Sequence, residues 1–192
     1  HKAGILKENR PAVIGEMTEE VTEVFEKEAL QKNVPLFKFG TDFFVSKNEG
    51  TEVYEYPLLQ LNISDLKRQL LGKHQGHNMA LAITAFLEVL KNFELPLDVQ
   101  KILTGVNNAI LAGRFEQIRP NLYFDGAHNP ASIQSLVDTV KEHFPNKRIE
   151  FVIGLLADKD VKTILKLLEE VGDAFYFANI HNERAMPAIT LY

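Results

Sequence analysis

The chain has 192 residues, 45% of them hydrophobic, with a net charge of −5 and a pI near 5.7. That is enough apolar material for one or two packed domains, and it excludes a disordered chain. The acidic balance argues against nucleic acid as a partner, and the complete absence of cysteine excludes thiolate metal sites, disulfides and thiol redox chemistry. No apolar run is long enough to span a membrane, so a cytoplasmic enzyme is expected. The sequence starts at His1 without an initiator Met and stops at Tyr192 with no closing element, and is read as cut from something longer.

Residues 12–15 form a short apolar run after Pro11, expected to be a buried strand. Thr18 is placed to cap a helix whose first turn holds Glu19 and Glu20. Val21, Val24, Phe25 and Ala29 recur at helical spacing. Residues 35–63 then read as a run of strands, 36–39, 43–46, 51–56 and 58–63, with Asn48-Glu49-Gly50 as a turn, which makes an antiparallel patch. Residues 72–78, Gly-Lys-His-Gln-Gly-His-Asn, read as a polar loop. The loop leads into a nearly all-apolar helix over 79–90, expected to be buried on most sides. Pro96 and Asp98 start another helix with Val99, Ile102, Leu103, Val106 and Ile110 on one face, broken at Ala112-Gly113-Arg114.

Beyond Gly113 the pattern is regular. Strands are expected at 122–125, 149–155 and 174–180, alternating with helices at 131–144 and after Asp158. That order implies a doubly wound, mostly parallel sheet. A domain boundary is placed near residue 112, dividing the chain into 1–111 and 112–192.

In such sheets ligands bind beyond the C-terminal ends of strands. Asp125-Gly126-Ala127-His128-Asn129-Pro130 sits at such an end. Gly126 lets the backbone turn, Asp125 can accept hydrogen bonds from ribose hydroxyls, and His128 can donate to a phosphate or move a proton. An ordinary turn, with Asn129 as cap and Pro130 as first helical residue, uses the same residues. Arg114, at the domain junction, can reach a phosphate or sit in a surface ion pair. His74, Gln75, His77 and Asn78 cluster at a helix entry, where amides can read an adenine edge or Asn78 can cap the helix. The two histidines, three residues apart without a carboxylate nearby, make a poor metal site. Asp158 is expected to cap the next helix, with Lys159 left open. The thirteen phenylalanines are assigned mostly to inward faces.

Lys2-Ala3-Gly4-Ile5, His74-Gln75 with Asn78, Gly113-Arg114-Phe115-Glu116, Asp125 to Pro130 and Asp158-Lys159-Asp160 occur in that order. Together they resemble the folylpolyglutamate synthase and dihydrofolate synthase family of the Mur-ligase superfamily, across essentially the whole chain. The resemblance implies an α/β architecture: a Rossmann-like doubly wound C-terminal ligase domain (112–192), preceded by the truncated end of a Mur-ligase-type ATPase domain (1–111). It implies ATP-dependent addition of L-glutamate to folate or dihydropteroate through an acyl phosphate, with ATP and Mg²⁺ required. The active site would lie between the domains, and the protein would be monomeric. By the same resemblance Lys2 is a carbamylated Mg²⁺ ligand, and Asn78, His74 and Gln75 are on the adenine side. Arg114 reaches the ATP phosphates, Asp125 lies near the ribose and His128 belongs to its loop. Arg114, His128 and Lys2 are the expected catalytic residues, and Lys159 and Arg184 fall in similar segments. The family's Gly-rich phosphate loop is missing. Its nearest counterpart, Gly72-Lys73-His74, lacks the glycine spacing and the Ser or Thr. These 192 residues alone are therefore expected to be inactive. A peptidoglycan-precursor ligase, which usually carries Tyr in place of Gly126 and Asn in place of Gln75, and a non-catalytic binding module are the alternatives.

Overall fold

The computed structural model describes residues 2–191; His1 and Tyr192 lie outside the described residues. The fold is mixed α/β and divides into two compact units. One runs up to Gln69 and resumes over His74–Ile110; the other comprises Leu70–Lys73 and the chain from Leu111 onward.

The first unit opens with a 3₁₀ turn, Lys2–Ile5, and strand β1, Ala12–Ile14. Helix α1, Glu19–Gln31, follows, and β1 pairs in parallel with β2, Leu36–Lys38. Thr18 occupies the N-cap position, but its side chain makes no capping bond. Its carbonyl instead accepts from the Thr22 hydroxyl at 3.1 Å. A small core of Leu6, Ile14, Phe25, Ala29 and Val34 holds this layer.

The antiparallel patch is β3, Phe44–Asn48, β4, Thr51–Tyr56, and β5, Leu61–Leu66, in sheet order β3-β4-β5. The last strand starts later than the apolar run at 58–63 indicates, because Pro57 initiates a 3₁₀ turn, Pro57–Leu59, and Gln60 adopts a left-handed conformation. Alternation on β4 sends Glu52, Tyr54 and Tyr56 inward. Helix α2, Lys73–Asn92, packs its Met79, Ala80, Ile83 and Leu87 against that face.

One expectation about α2 fails. The helix begins at Lys73, so His74 to Asn78 form its first turns rather than a loop. Gly72, at φ +95°, is the actual break. One face of the helix is open, with Phe86 and Val89 47% and 48% exposed. With Phe93 and Phe124 also more than half exposed, the phenylalanines are less uniformly internal than their number indicates. Helix α3, Val99–Asn107, is capped by Asp98, whose carboxylate accepts from the Lys101 amide at 3.2 Å. It stops short of Ile110, which is 83% exposed.

In the second unit β6, Glu116–Arg119, and β7, Leu122–Phe124, form an antiparallel hairpin. Helix α4, Pro130–His143, then β8, Glu150–Ile153, helix α5, Val161–Leu168, and β9, Ala174–Phe177, complete the alternating pattern, followed by a short α6, Ala188–Leu191. The parallel pairing is that of β8 with β9. The partner of β7 is β6, a strand too short and too polar to stand out in the sequence. The core between α4, α5 and β8 includes Ile133, Val137, Ile153, Ile164 and Leu168. Asp160, not Asp158, caps α5 by accepting from the Thr163 amide at 3.2 Å.

Candidate functional site

The hexapeptide leaves the end of β7 and enters α4. Asn129 is the N-cap: its side-chain oxygen accepts from the Ser132 amide at 2.9 Å, and the Ser132 hydroxyl accepts from the Asn129 amide at 3.1 Å. The same hydroxyl accepts from the His128 amide at 3.1 Å. This reciprocal box satisfies the orphan donors of the helix start, and Pro130, lacking an N–H, fits the first helical position. The ordinary turn-and-cap reading of these residues is thus physically real, and it leaves Asp125 and His128 unaccounted for.

Both oxygens of the Asp125 carboxylate are engaged. Oδ2 accepts from the Phe115 amide at 2.8 Å and Oδ1 from the Ala127 amide at 2.7 Å. The Gly126 amide donates to the Gly113 carbonyl at 2.9 Å, and the Gly113 amide donates to Glu116 Oε2 at 2.8 Å. The Arg114 loop and the 125–128 loop are therefore laced together. Arg114 lies between two left-handed residues, Gly113 at φ +71° and Phe115 at φ +47°. Its side chain is exposed and, among the described residues, has no hydrogen-bond or ion-pair partner. The Phe115 ring packs on Tyr123 and Phe144 at centroid distances of 5.1 and 5.8 Å.

His128 is exposed, and its Nδ1 lies 2.8 Å from the Gly126 carbonyl. A carbonyl only accepts, so Nδ1 carries the proton, and in the neutral ring Nε2 keeps its lone pair. A neutral His128 offers solvent an acceptor; a protonated one offers an anion a donor.

In the first unit, His74, Gln75 and Asn78 share the opening turns of α2. Gln75 is buried, at 8% exposure, and its Oε1 accepts from Asn78 Nδ2 at 3.1 Å. Asn78 is exposed and does not cap the helix. His77 stacks obliquely on Phe39 at 4.5 Å, which gives it a packing role. Glu52 and Arg68 brace this turn through a bidentate pair at 2.6 and 2.7 Å, both side chains nearly buried. Gly76 faces it so closely that an added Cβ would lie 2.9 Å from Glu52 Oε1. Sequence spacing missed this pair because its members are 16 residues apart. The signal available was the inward register of Glu52 beside Tyr54 and Tyr56.

Lys2 is exposed, on the first 3₁₀ turn. Lys159 Nζ lies 3.1 Å from Asp158 Oδ2, and that contact is the main cause holding the Asp158 carboxyl below its usual range. The Ala157 amide donates to the Arg184 carbonyl at 2.8 Å, so the Lys159 and Arg184 loops are neighbours. Of the expected residues, Arg114, Asp125 and His128 are brought together in the second unit, while His74, Gln75 and Asn78 gather in the first and Lys2 stands apart from them in sequence.

Residues 113–192 match the Mur ligase, glutamate ligase domain family, so the second unit has a Mur-ligase C-terminal fold. The chain as a whole is 32% identical to the dihydrofolate synthase/folylpolyglutamate synthase of Bacillus subtilis, over 100% of its length and 46% of the relative's. It superposes on the Mycobacterium tuberculosis folylpolyglutamate synthase complexed with ADP at TM-score 0.85 and 29% identity, covering 99% of this chain and 44% of that one. A folylpolyglutamate synthase complexed with AMPPCP and folate matches at TM-score 0.84 and 32% identity, over 92% and 44% of the two chains. The chain is similar over essentially its whole length to folylpolyglutamate synthases and dihydrofolate synthases. It spans about half the length of the curated relatives it matches.

Proposed function

We propose that the protein is part of an ATP-dependent ligase that joins the amine of L-glutamate to a carboxylate of a folate or of dihydropteroate. The observation that carries this reading is the loop lacing of Arg114 and Asp125 in a chain similar throughout to enzymes solved with ADP and with AMPPCP and folate. In the domain assignment that goes with it, residues 1–111 are the C-terminal part of the ATPase domain and 112–192 the Rossmann-like ligase domain.

The chemistry has two steps. A carboxylate oxygen of the folate attacks the γ-phosphorus and ADP leaves, giving an acyl phosphate. The glutamate amine then attacks the acyl carbon, an amide forms and phosphate leaves with the bonding pair. Negative charge on the transferring phosphoryl group needs fixed cations. Arg114 fits that task, because its guanidinium has no partner among the described residues and offers a planar fork of donors. His128 Nε2 fits a proton acceptor for the amine, or in the protonated ring a phosphate donor. Asn78, His74 and Gln75 are assigned to the adenine side and Asp125 to the vicinity of the ribose.

Mg²⁺ goes with this chemistry, and a carbamylated Lys2 would supply it one anionic oxygen ligand. Among the described residues no group of three or more His, Asp and Glu is arranged to hold a metal ion. The described helices include none long and apolar enough to cross a membrane. A cytoplasmic, monomeric enzyme is the proposed setting.

The test is radiolabelled glutamate incorporation by the complete protein, with folates and dihydropteroate set against UDP-linked peptidoglycan precursors. ATP-dependent incorporation into a folate is expected. Incorporation into the UDP-linked substrate alone, or no ATP binding by calorimetry, would replace the reading with one of its alternatives. The 192 residues by themselves are expected to give no ligation.

A further inference from the structure

We propose that the buried Glu52–Arg68 pair is a positioning element for the nucleotide base: it seats the first turns of α2 so that the Asn78 carboxamide is held in the orientation that reads adenine. The inference rests on the ligase reading above and on its assignment of Asn78 to the adenine side.

Four observations converge on it. Glu52 sits on β4 and Arg68 just beyond the end of β5, and they meet in a two-pronged pair at 2.6 and 2.7 Å, with side chains 11% and 12% exposed. The segment that carries Arg68 is pinned in turn at the end of α3. There the Lys67 amide donates to Asn107 Oδ1 at 2.7 Å, and Gln69 Nε2 donates to the Asn107 carbonyl at 3.2 Å. Helix α2 rests directly on the pair at Gly76, where an added Cβ would lie 2.9 Å from Glu52 Oε1 and 3.5 Å from an Arg68 guanidinium nitrogen. With no side chain between them, the pair sets how close this turn comes to β4. Beside Gly76, the buried Gln75 accepts from Asn78 Nδ2 at 3.1 Å, and Asn78 itself is exposed.

The Gln75 bond fixes which way the Asn78 amide faces. One N–H is spent on Gln75, and the oxygen and the second N–H remain for a ligand. Adenine offers its N6 donor beside a ring-nitrogen acceptor; guanine offers the O6 acceptor beside the N1–H donor, the opposite order. A carboxamide free to turn over suits both bases, and a locked one suits one of them. Holding that lock in place is a task for a rigid support. A buried ion pair is weak evidence for stability, since apolar residues of similar volume often replace it without loss. What it supplies is geometry, because the planar fork of an arginine fixes its register on a carboxylate.

The experiment is equilibrium binding of ATP and of GTP to the complete protein by calorimetry, beside unfolding midpoints and steady-state rates. Replacing both charges together, Glu52→Leu with Arg68→Met, is expected to leave the unfolding midpoint in place. The same variant should bind ATP about tenfold more weakly and lose about tenfold of its preference for ATP over GTP. The KM for ATP should rise with the dissociation constant, while kcat at saturating ATP changes less than about threefold. Arg68→Lys keeps the charge without the fork and should fall between the native protein and the paired variant. In an Asn78→Ala background the paired replacement should add nothing to the loss, because the pair acts through Asn78. A folded paired variant with native affinity and base preference overturns the positioning role, as do multiplicative losses in the Asn78→Ala background. Should the paired variant unfold, native affinity and preference in Arg68→Lys overturns it equally. A native complete protein that binds no nucleotide overturns the ligase reading itself, and the positioning role with it.

Discussion

Replacing Gly76 with alanine sets two effects of opposite sign against each other. Gly76 lies within α2, where alanine gains about 1 kcal/mol over glycine from helix propensity alone. The added methyl, however, would sit 2.9 Å from Glu52 Oε1 and 3.5 Å from the nearer guanidinium nitrogen of Arg68. Ordinary contact needs several tenths of an ångström more, and Glu52 is not free to swing away. Its side chain is 11% exposed, Arg68's is 12%, and the two are joined at 2.6 and 2.7 Å. Displacing Oε1 sacrifices one charge-assisted hydrogen bond in a poorly hydrated place, about 1.5–3 kcal/mol. The net expectation is a loss of about 0.5–2 kcal/mol. Urea unfolding followed by far-UV circular dichroism measures it. In a Glu52→Ala background the obstacle is gone, and Gly76→Ala should become neutral or stabilising. A Gly76→Ala protein that gains stability with Glu52 intact would refute the reasoning, since it would mean the pair gives way at no cost.

Asn129→Ala removes the acceptor for the Ser132 amide and half of the reciprocal cap, so about 1 kcal/mol should be lost from the second unit in the same unfolding assay. Tyr54 gives a pH dependence. Burial is the largest cause pushing its phenol from 10.0 up to about 12, with the Thr84 hydroxyl opposing and Glu88 adding. Because the folded value is the higher one, the associated stability is complete below pH 10 and is lost as pH rises towards 12, by about 2–3 kcal/mol across the whole shift. Tyr54→Phe should cost about 1 kcal/mol near neutrality, through the 2.8 Å bond to Thr84, and should flatten the alkaline decline of the urea midpoint. Tyr56 shifts in the same direction, from burial and then from Glu88, so some decline should persist.

Periodicity located most elements because their cores are simple. The helical spacing of Ile133, Val137 and Val140 and the alternation of Glu52, Tyr54 and Tyr56 both reflect one packed face. The failures have local causes. Residues 73–78 look like a loop because they are polar and contain Gly76. They are helical because the first turn of a helix is a natural place for polar side chains, and because glycine is demanded there by Glu52. Asp160 displaced Asp158 as the cap of α5 because both are acceptable caps and only the backbone path chooses between them. The pairing of β7 with β6 was not legible, since β6 is four residues long, polar and mostly exposed. At the site, the sequence named Arg114 and Asp125 as members of two separate motifs. It could not say that the carboxylate would face the Phe115 amide, because that depends on two left-handed residues flanking Arg114.

The most direct test of the central claim is ATP-dependent glutamate addition by the complete protein with Arg114 replaced by alanine. The account predicts a correctly folded protein, judged by an unchanged circular dichroism spectrum and unfolding midpoint, whose rate of glutamate addition to a folate falls by about 100-fold or more. A folded Arg114→Ala protein that adds glutamate at the native rate would contradict it.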